Sequence, residues 1–400
     1  MTALSDRDTA HPSSRKTIAF LLDYAPQNWC SREDYHASLC EALSARGVRS
    51  VLVFAKELPP DVAATFRERG IEYSTIDYSK GTVHYYRELG KLIREYSVTT
   101  VHICYFDYFS FIAWMARLHG VKTIIYEAVN SGSLTARSWK KSLLQLRNRV
   151  MTKPLTRTIA ISDFVKEQLI AGGLAAEQVD VRYLGIDHQR FVPAANKRGP
   201  FRDQFEIAPD EPVVTTISFL NPFKNPQTII QACGLLARRG VSFRLFVAGD
   251  GALRKELEDL AHKLDITDRV HWLGHVDDPR ALLQESDIFT LASTGEAFGL
   301  VLPEAMACGL PVVATRSGGI VEIVDDQVTG LLVPPLNPEA LADALQQLIQ
   351  DAEARTKMGS RGRSRVAKMF TIETVVTNTL KTYESTSNLK RQELRDLPAE

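Results

Sequence analysis

The chain has 400 residues, too many for one ordinary core and suited to two domains of roughly 150 to 200 residues each. Hydrophobic residues (44%) and charged residues (24%) stand at values usual for a soluble globular protein, and no apolar run is long enough to span a bilayer. Lysine plus arginine equals aspartate plus glutamate at 48 each, so no global field draws nucleic acid, and five scattered cysteines without a C-x-x-C pair speak against a disulfide scaffold or zinc site and fit a reducing cytosol.

Residues 1–15 are polar, lack a signal-peptide apolar region and read as a disordered tail. From there short β-rich runs alternate with helical patterns: "KTIAFLLDY", "SVLVFA", "IEYSTIDY", "TTVHICYF", "VKTIIYEA" and "TRTIAIS" in the first half. "PVVTTISF", "SFRLFVAG", "RVHWLG", "DIFTLAS" and "PVVAT" continue the pattern in the second. That alternation predicts α/β architecture, with parallel sheets covered on both faces. The Pro- and charge-rich stretch 192–212 is the expected joint between two doubly wound domains, whose ligands belong beyond the strand carboxyl ends, in a cleft.

Between the fifth and sixth strands, residues 133–157 hold Arg137, Lys140, Lys141, Arg147, Arg149, Lys153 and Arg157 and no acid. Trp139, Leu143, Leu146 and Val150 fall at helical spacing there. The first reading is a stripe packed on the domain with a solvated basic rim; the second is a helix lying on anionic lipid.

The second half carries the site signals. "FVAGDGALRKEL" takes a strand into Gly249, Asp250 and Gly251 and then a helix, either a tight turn or an approach of backbone amides to an anion. In "ASTGEAFGLVLPEAMACG", Pro303 suits a first helical turn and Glu304 lies in that turn, where the helix dipole favours its charge. Glu296 stands eight residues earlier between Gly295 and Gly299 in a nearly uncharged segment. A core needs no such carboxylates, whereas recognition of vicinal ribose hydroxyls does. "TRSGGIVEIV" places Gly318 and Gly319 at another helix entry, where their amides could face the same phosphate and Glu322 is a first-turn charge.

At these residues the chain resembles the family-four retaining glycosyltransferases. "EAFGLVLPE" is similar to their E-x7-E motif, and the resemblance is strong over about residues 155 to 385 and in outline over 16 to 154. It implies the GT-B fold: a first Rossmann-like domain over 16–195 for the acceptor, a second over 196–370 for the nucleotide sugar, a helix over 371–388 crossing back onto the first domain, and a tail from 389. The implied reaction moves a sugar from a nucleoside-diphosphate sugar to a hydroxyl of a saccharide or glycolipid, with retention. No cofactor, metal or nucleic acid is implied. The only D-x-D, Asp6-Arg7-Asp8, sits in the polar tail.

By the same resemblance Glu304 would hold the ribose hydroxyls, Glu296 would stand near the donor sugar, and Lys224 would neutralise the diphosphate. Ser218, Phe298 and the amides of Gly299 and Leu300 would line the donor. The chain departs from the family where an arginine is usual, carrying Phe219, with Arg254 or Arg316 as candidate substitutes. Packing of neighbours around that ring is the expectation. The usual Gly-Gly loop after the first strand is replaced by "APQNWCSRED". His102, Glu127 and Asn130 are candidates on the acceptor side, each with a structural role as the first alternative. Rival functions are a GT-B epimerase or phosphorylase and a silent nucleotide-sugar-binding module. The expected location is the cytoplasm, with the inner membrane surface as the variant that the basic stretch would bring.

Overall fold

The computed structural model describes residues 16–26, 28–106, 110–129, 141–196 and 199–386, with residues 141–144 as backbone only. Asn130, Trp139 and both tails lie outside these.

The first sheet holds seven parallel strands: β1 (Thr17–Leu22), β2 (Arg49–Phe54), β3 (Glu72–Thr75), β4 (Val98–Cys104), β5 (Thr123–Ala128), β6 (Arg157–Ala160) and β7 (Val179–Val181). Their order is β3-β2-β1-β4-β5-β6-β7. The second sheet holds six: β8 (Val213–Ile217), β9 (Arg244–Ala248), β10 (Val270–Gly274), β11 (Ile288–Leu291), β12 (Val312–Thr315) and β13 (Gly330–Val333), ordered β10-β9-β8-β11-β12-β13. Every residue of β1, β11 and β12 is buried, as expected of central parallel strands covered on both faces.

In both sheets the strand order reverses beside the first strand of the domain, between β1 and β4 and between β8 and β11. Loops leaving two such strands diverge to opposite faces and open a crevice. The loop after β8 carries Lys224 and the loop after β11 carries Glu296, so the sequence positions singled out above flank one crevice.

The chain leaves the first sheet at Val181 and later returns to that domain. Helix α14 (Ala352–Met369) ends at Phe370, and α15 (Ile372–Thr386) follows after the single residue Thr371. There Ile186 and Thr371 form a bridge, with Ile186 N–H donating to Phe370 O at 2.9 Å. Val375, Val376, Leu380 and Tyr383 of α15 are buried in one cluster with Phe20, Leu22, Leu39 and Leu43 of β1 and α1 (Ser31–Ser44). The crossing helix is thus part of the first domain's core.

Candidate donor site

Glu304 lies in the first turn of a short helix, α11 (Val301–Ala307), which Gly299 starts by adopting φ +95° and accepting the Leu302 N–H at 2.9 Å. Among the described residues neither the Gly299 nor the Leu300 N–H has a protein acceptor, which leaves two donors at the mouth of the crevice. Packing around the Glu304 carboxyl pushes its pKa up to about 7, while a hydrogen bond from Ser31 and the charge of Arg190 work in the other direction. The Ser31 hydroxyl donates to Glu304 Oε1 at 3.1 Å from the N-terminus of α1, so the two domains meet on this carboxylate.

Glu296 is buried and faces inward from the loop after β11. Its Oε2 accepts from the Ser293 hydroxyl at 3.1 Å and from Lys224 Nζ in a close ion pair. Lys224 is set by its loop, where its N–H donates to Asn221 Oδ1 at 2.9 Å. The next residue, Asn225, takes φ +49° and Pro226 opens α8 (Pro226–Arg238). A cation and a carboxylate are thereby held together above the ends of β8 and β11.

The glycines build this arrangement by close approach of backbones. A Cβ on Gly318 (φ +54°) would stand 2.0 Å from Glu296 O, and the Gly319 N–H donates to that same carbonyl at 2.7 Å. Gly319's amide is therefore spent on the loop and does not face a phosphate. Gly249 (φ +122°) and Gly251 similarly admit the Ser218 and Leu220 carbonyls, where Cβ atoms would come to 2.0 and 2.4 Å. The Gly249 N–H donates to Gly274 O at 2.6 Å and the Gly251 N–H to Asp250 Oδ1 at 2.7 Å. The tight-turn alternative holds for these two amides, and Ser218 contributes its backbone to the same packing.

Three expectations need correction. Phe298 is 1% exposed and its ring lies 5.8 Å from the Tyr183 ring and 5.7 Å from that of Phe370, so the side chain belongs to the core. Phe219 is 72% exposed, with no packing to enclose its ring. Nor do Arg254 and Arg316 stand ready for a phosphate: Arg254 pairs with Glu258 and lies over Trp272, and Arg316 pairs with Asp326. Glu322 does more than charge its own helix. Its carboxylate accepts the Asp163 and Phe164 N–H groups at 2.8 and 2.9 Å, capping α6 (Asp163–Ala171) of the other domain.

His102 and Glu127 come together with each other and not with Lys224 or Glu296. Both are buried on neighbouring strands beneath α1 and α15, with His102 Nδ1 2.6 Å from the Tyr383 hydroxyl. No hydrogen bond among the described residues ties either to the Lys224–Glu296 pair. Sequence reasoning missed Ser31, Ser293 and Asn221, the partners that fix the charged groups. Short hydroxyl and amide side chains in loops give no periodic signal, although the unusual "NWCSRED" marked the segment that supplies Ser31.

Residues 197–365 match the family model for glycosyl transferases group 1, and residues 33–190 match that for glycosyltransferase family 4. The chain is 37% identical over 175 residues (44% of its length) to an N-acetyl-alpha-D-glucosaminyl L-malate synthase of Bacillus anthracis. It is 34% identical over 234 residues (55% of its length) to a D-inositol 3-phosphate glycosyltransferase of Salinispora tropica. The matches span about half the length of these relatives, 46% and 48%. The fold resembles that of HepE from Anabaena, solved with UDP, at TM-score 0.77 and 22% identity over 92% of this chain and 100% of that one.

Proposed function

From the premise that the chain belongs to the group 1 glycosyl transferases, with the GT-B architecture of two facing parallel-sheet domains, we propose that it moves a sugar from a nucleoside-diphosphate sugar to a hydroxyl acceptor, a saccharide or glycolipid, with retention of configuration. The observation that carries this reading is the Lys224–Glu296 pair at the switch point between β8 and β11, beside the unspent Gly299 and Leu300 amides and the Glu304 carboxylate. Glu304 accepts the ribose hydroxyls, displacing Ser31. Lys224 and the loop amides meet the charge that develops on the leaving diphosphate, a task that fixed donors perform without a metal in the donor site. Glu296 faces the anomeric centre as it becomes cationic.

The test is a panel of nucleoside-diphosphate sugars, beginning with uridine donors because HepE holds UDP. A true donor raises the melting temperature by binding only the folded chain, and adding acceptor should release nucleoside diphosphate with sugar transferred. Epimerised donor with no transfer, or glycan cleavage that requires phosphate, would move the chain to another GT-B activity. Binding without turnover of any donor would leave the silent module. Magnetic resonance of the product's anomeric proton decides retention.

A second reading, contact with a membrane surface, rests on α5 (Lys141–Thr152). Its polar residues face inward: Asn148 is buried and donates to Gly172 O at 2.7 Å, and Gln145 donates to Ala171 O at 3.1 Å. Two of its apolar residues face out, Leu146 at 59% and Val150 at 52% exposed, among Arg147, Arg149 and Lys153, while the Trp139 and Leu143 side chains lie outside the described residues. At these two positions the stripe faces away from the domain, which suits a helix lying on anionic lipid. No helix among the described residues is long and apolar enough to cross a membrane. The chain should float with phosphatidylglycerol vesicles and not with phosphatidylcholine vesicles, and Leu146→Glu with Val150→Glu should lower the bound fraction about tenfold or more. Flotation unchanged by the double substitution would remove this reading.

A further inference from the structure

Away from the cleft, unmatched polarity concentrates on the face of the first sheet that α1 and α15 cover. His102 and Cys104 alternate on β4 and so share that face, and Glu127 pairs in register with Cys104 from β5. One ligand atom from each, imidazole nitrogen, thiol sulfur and carboxylate oxygen, lies within 4.8 Å of the others. All three residues are at most 2% exposed. His102 Nε2 and Glu127 Oε2 have no aligned hydrogen-bond partner although they stand 3.4 Å apart. Buried polar atoms without a partner are rare and need a cause.

We propose that His102, Cys104 and Glu127 bind a borderline-soft divalent transition ion of the zinc class, a structural centre separate from the donor site. The donor set of imidazole, thiolate and carboxylate suits such an ion. A tetrahedral ion with bonds of about 2.1 Å holds its ligands about 3.4 Å apart, which is the His102–Glu127 separation. The far side of the His102 ring is already held: Nδ1 meets the Tyr383 hydroxyl at 2.6 Å, the kind of outer contact that orients a metal-bound histidine.

The fourth position falls to water, with His36 of α1 as a neighbour outside the group of ligand atoms that lie within 4.8 Å of one another. His36 Nδ1 lies 2.8 Å from the Arg32 carbonyl, an acceptor only, so its proton sits there and Nε2 is a bare lone pair. That nitrogen is also buried and unpartnered, and it lies close enough to Glu127 to feel its charge. Burial keeps the Cys104 thiol protonated when the ion is absent; on binding, the ion takes the thiolate and one proton leaves. The centre would join β4 and β5 to each other and, through Tyr383, to the crossing helix. A His-x-Cys on one strand and a glutamate from the next has no metal-motif spacing, so the sequence argued against zinc.

The full chain expressed in cobalt-supplemented minimal medium and washed with chelator should retain about one cobalt per chain by mass spectrometry, with thiolate-to-cobalt charge-transfer absorption in the near ultraviolet. Cys104→Ser should abolish that absorption and lower occupancy at least about tenfold while circular dichroism stays native. Cys233→Ser, at a buried cysteine in the other domain, should change neither. If Cys104→Ser fails to fold, Glu127→Gln keeps the shape and the thiol and should still lose most of the ion. A chain without stoichiometric metal, absorption that survives Cys104→Ser, or full occupancy in Glu127→Gln would overturn the proposal.

Discussion

Lys224→Ala is expected to lower turnover by about a hundredfold or more, the loss typical of one fixed donor to a developing charge. Here the loss should reach the upper end, because the family's usual arginine is Phe219 and its candidate substitutes are paired elsewhere. The substitution also leaves Glu296, buried and with the Ser293 hydroxyl as its remaining partner, free to repel the diphosphate. Single-turnover measurements with a saturating donor isolate the chemical step. Equal affinity for nucleoside mono- and diphosphates, untouched by Lys224→Ala, would show that no diphosphate is read at this site. Because the Phe219 ring is open to solvent, an arginine fits at that position without burying its charge. Phe219→Arg should therefore tighten donor binding several-fold, the reverse of what a packed ring would predict.

Donor affinity should fall as the pH drops below about 7 and should be lost in Glu304→Ala. The sign follows from the Glu304 carboxyl, which burial holds up to about 7 in the free chain. Ribose hydroxyls donate to the ionised form, so the donor binds the carboxylate and expels the proton. Below that pH, affinity should fall about tenfold per pH unit until the bound-state pKa is reached, and binding should release protons. A nucleoside-diphosphate sugar suits the measurement because both its phosphates are esterified and neither titrates in this window. Titration calorimetry in buffers of different ionisation enthalpy counts the protons. Two charge-assisted hydrogen bonds at roughly 1.5 to 3 kcal/mol each put the loss in Glu304→Ala at about a hundredfold or more. Its melting temperature should hold or rise, since a carboxylate that burial disfavours has been removed. An unfolded variant, or affinity independent of pH, would return Glu304 to a structural role.

The long central strands and the acidic motif were legible because each carries a local signal. Continuous apolar runs such as "TIAFLL" announce strands buried on both faces, and the carboxylates of Glu296 and Glu304 stood out in an apolar segment. The edge strands β7 and β13, of three and four residues, were not read from the sequence. Phe298 was misplaced because a residue inside a site motif can point into the core from the same loop. Charged residues near a glycine turn suggested free cations, yet Arg254 and Arg316 find partners four and ten residues on. Contacts between domains, such as Ser31 on Glu304 and the Glu322 cap of α6, join residues 158 and more positions apart and leave no trace in local composition.

The crossing helix also sets an order of assembly on the ribosome. A nascent chain ordinarily completes its first domain first. Here β1 and α1 are made before the second domain, yet the apolar side chains that close their core, Val375, Val376, Leu380 and Tyr383, follow that domain in the chain. The second domain, closed by Phe370, can finish while its elder neighbour still exposes Phe20, Leu39 and Leu43. Of these two domains the one translated earlier is sealed later, so a message truncated after codon 370 yields one finished domain tethered to one with an open core.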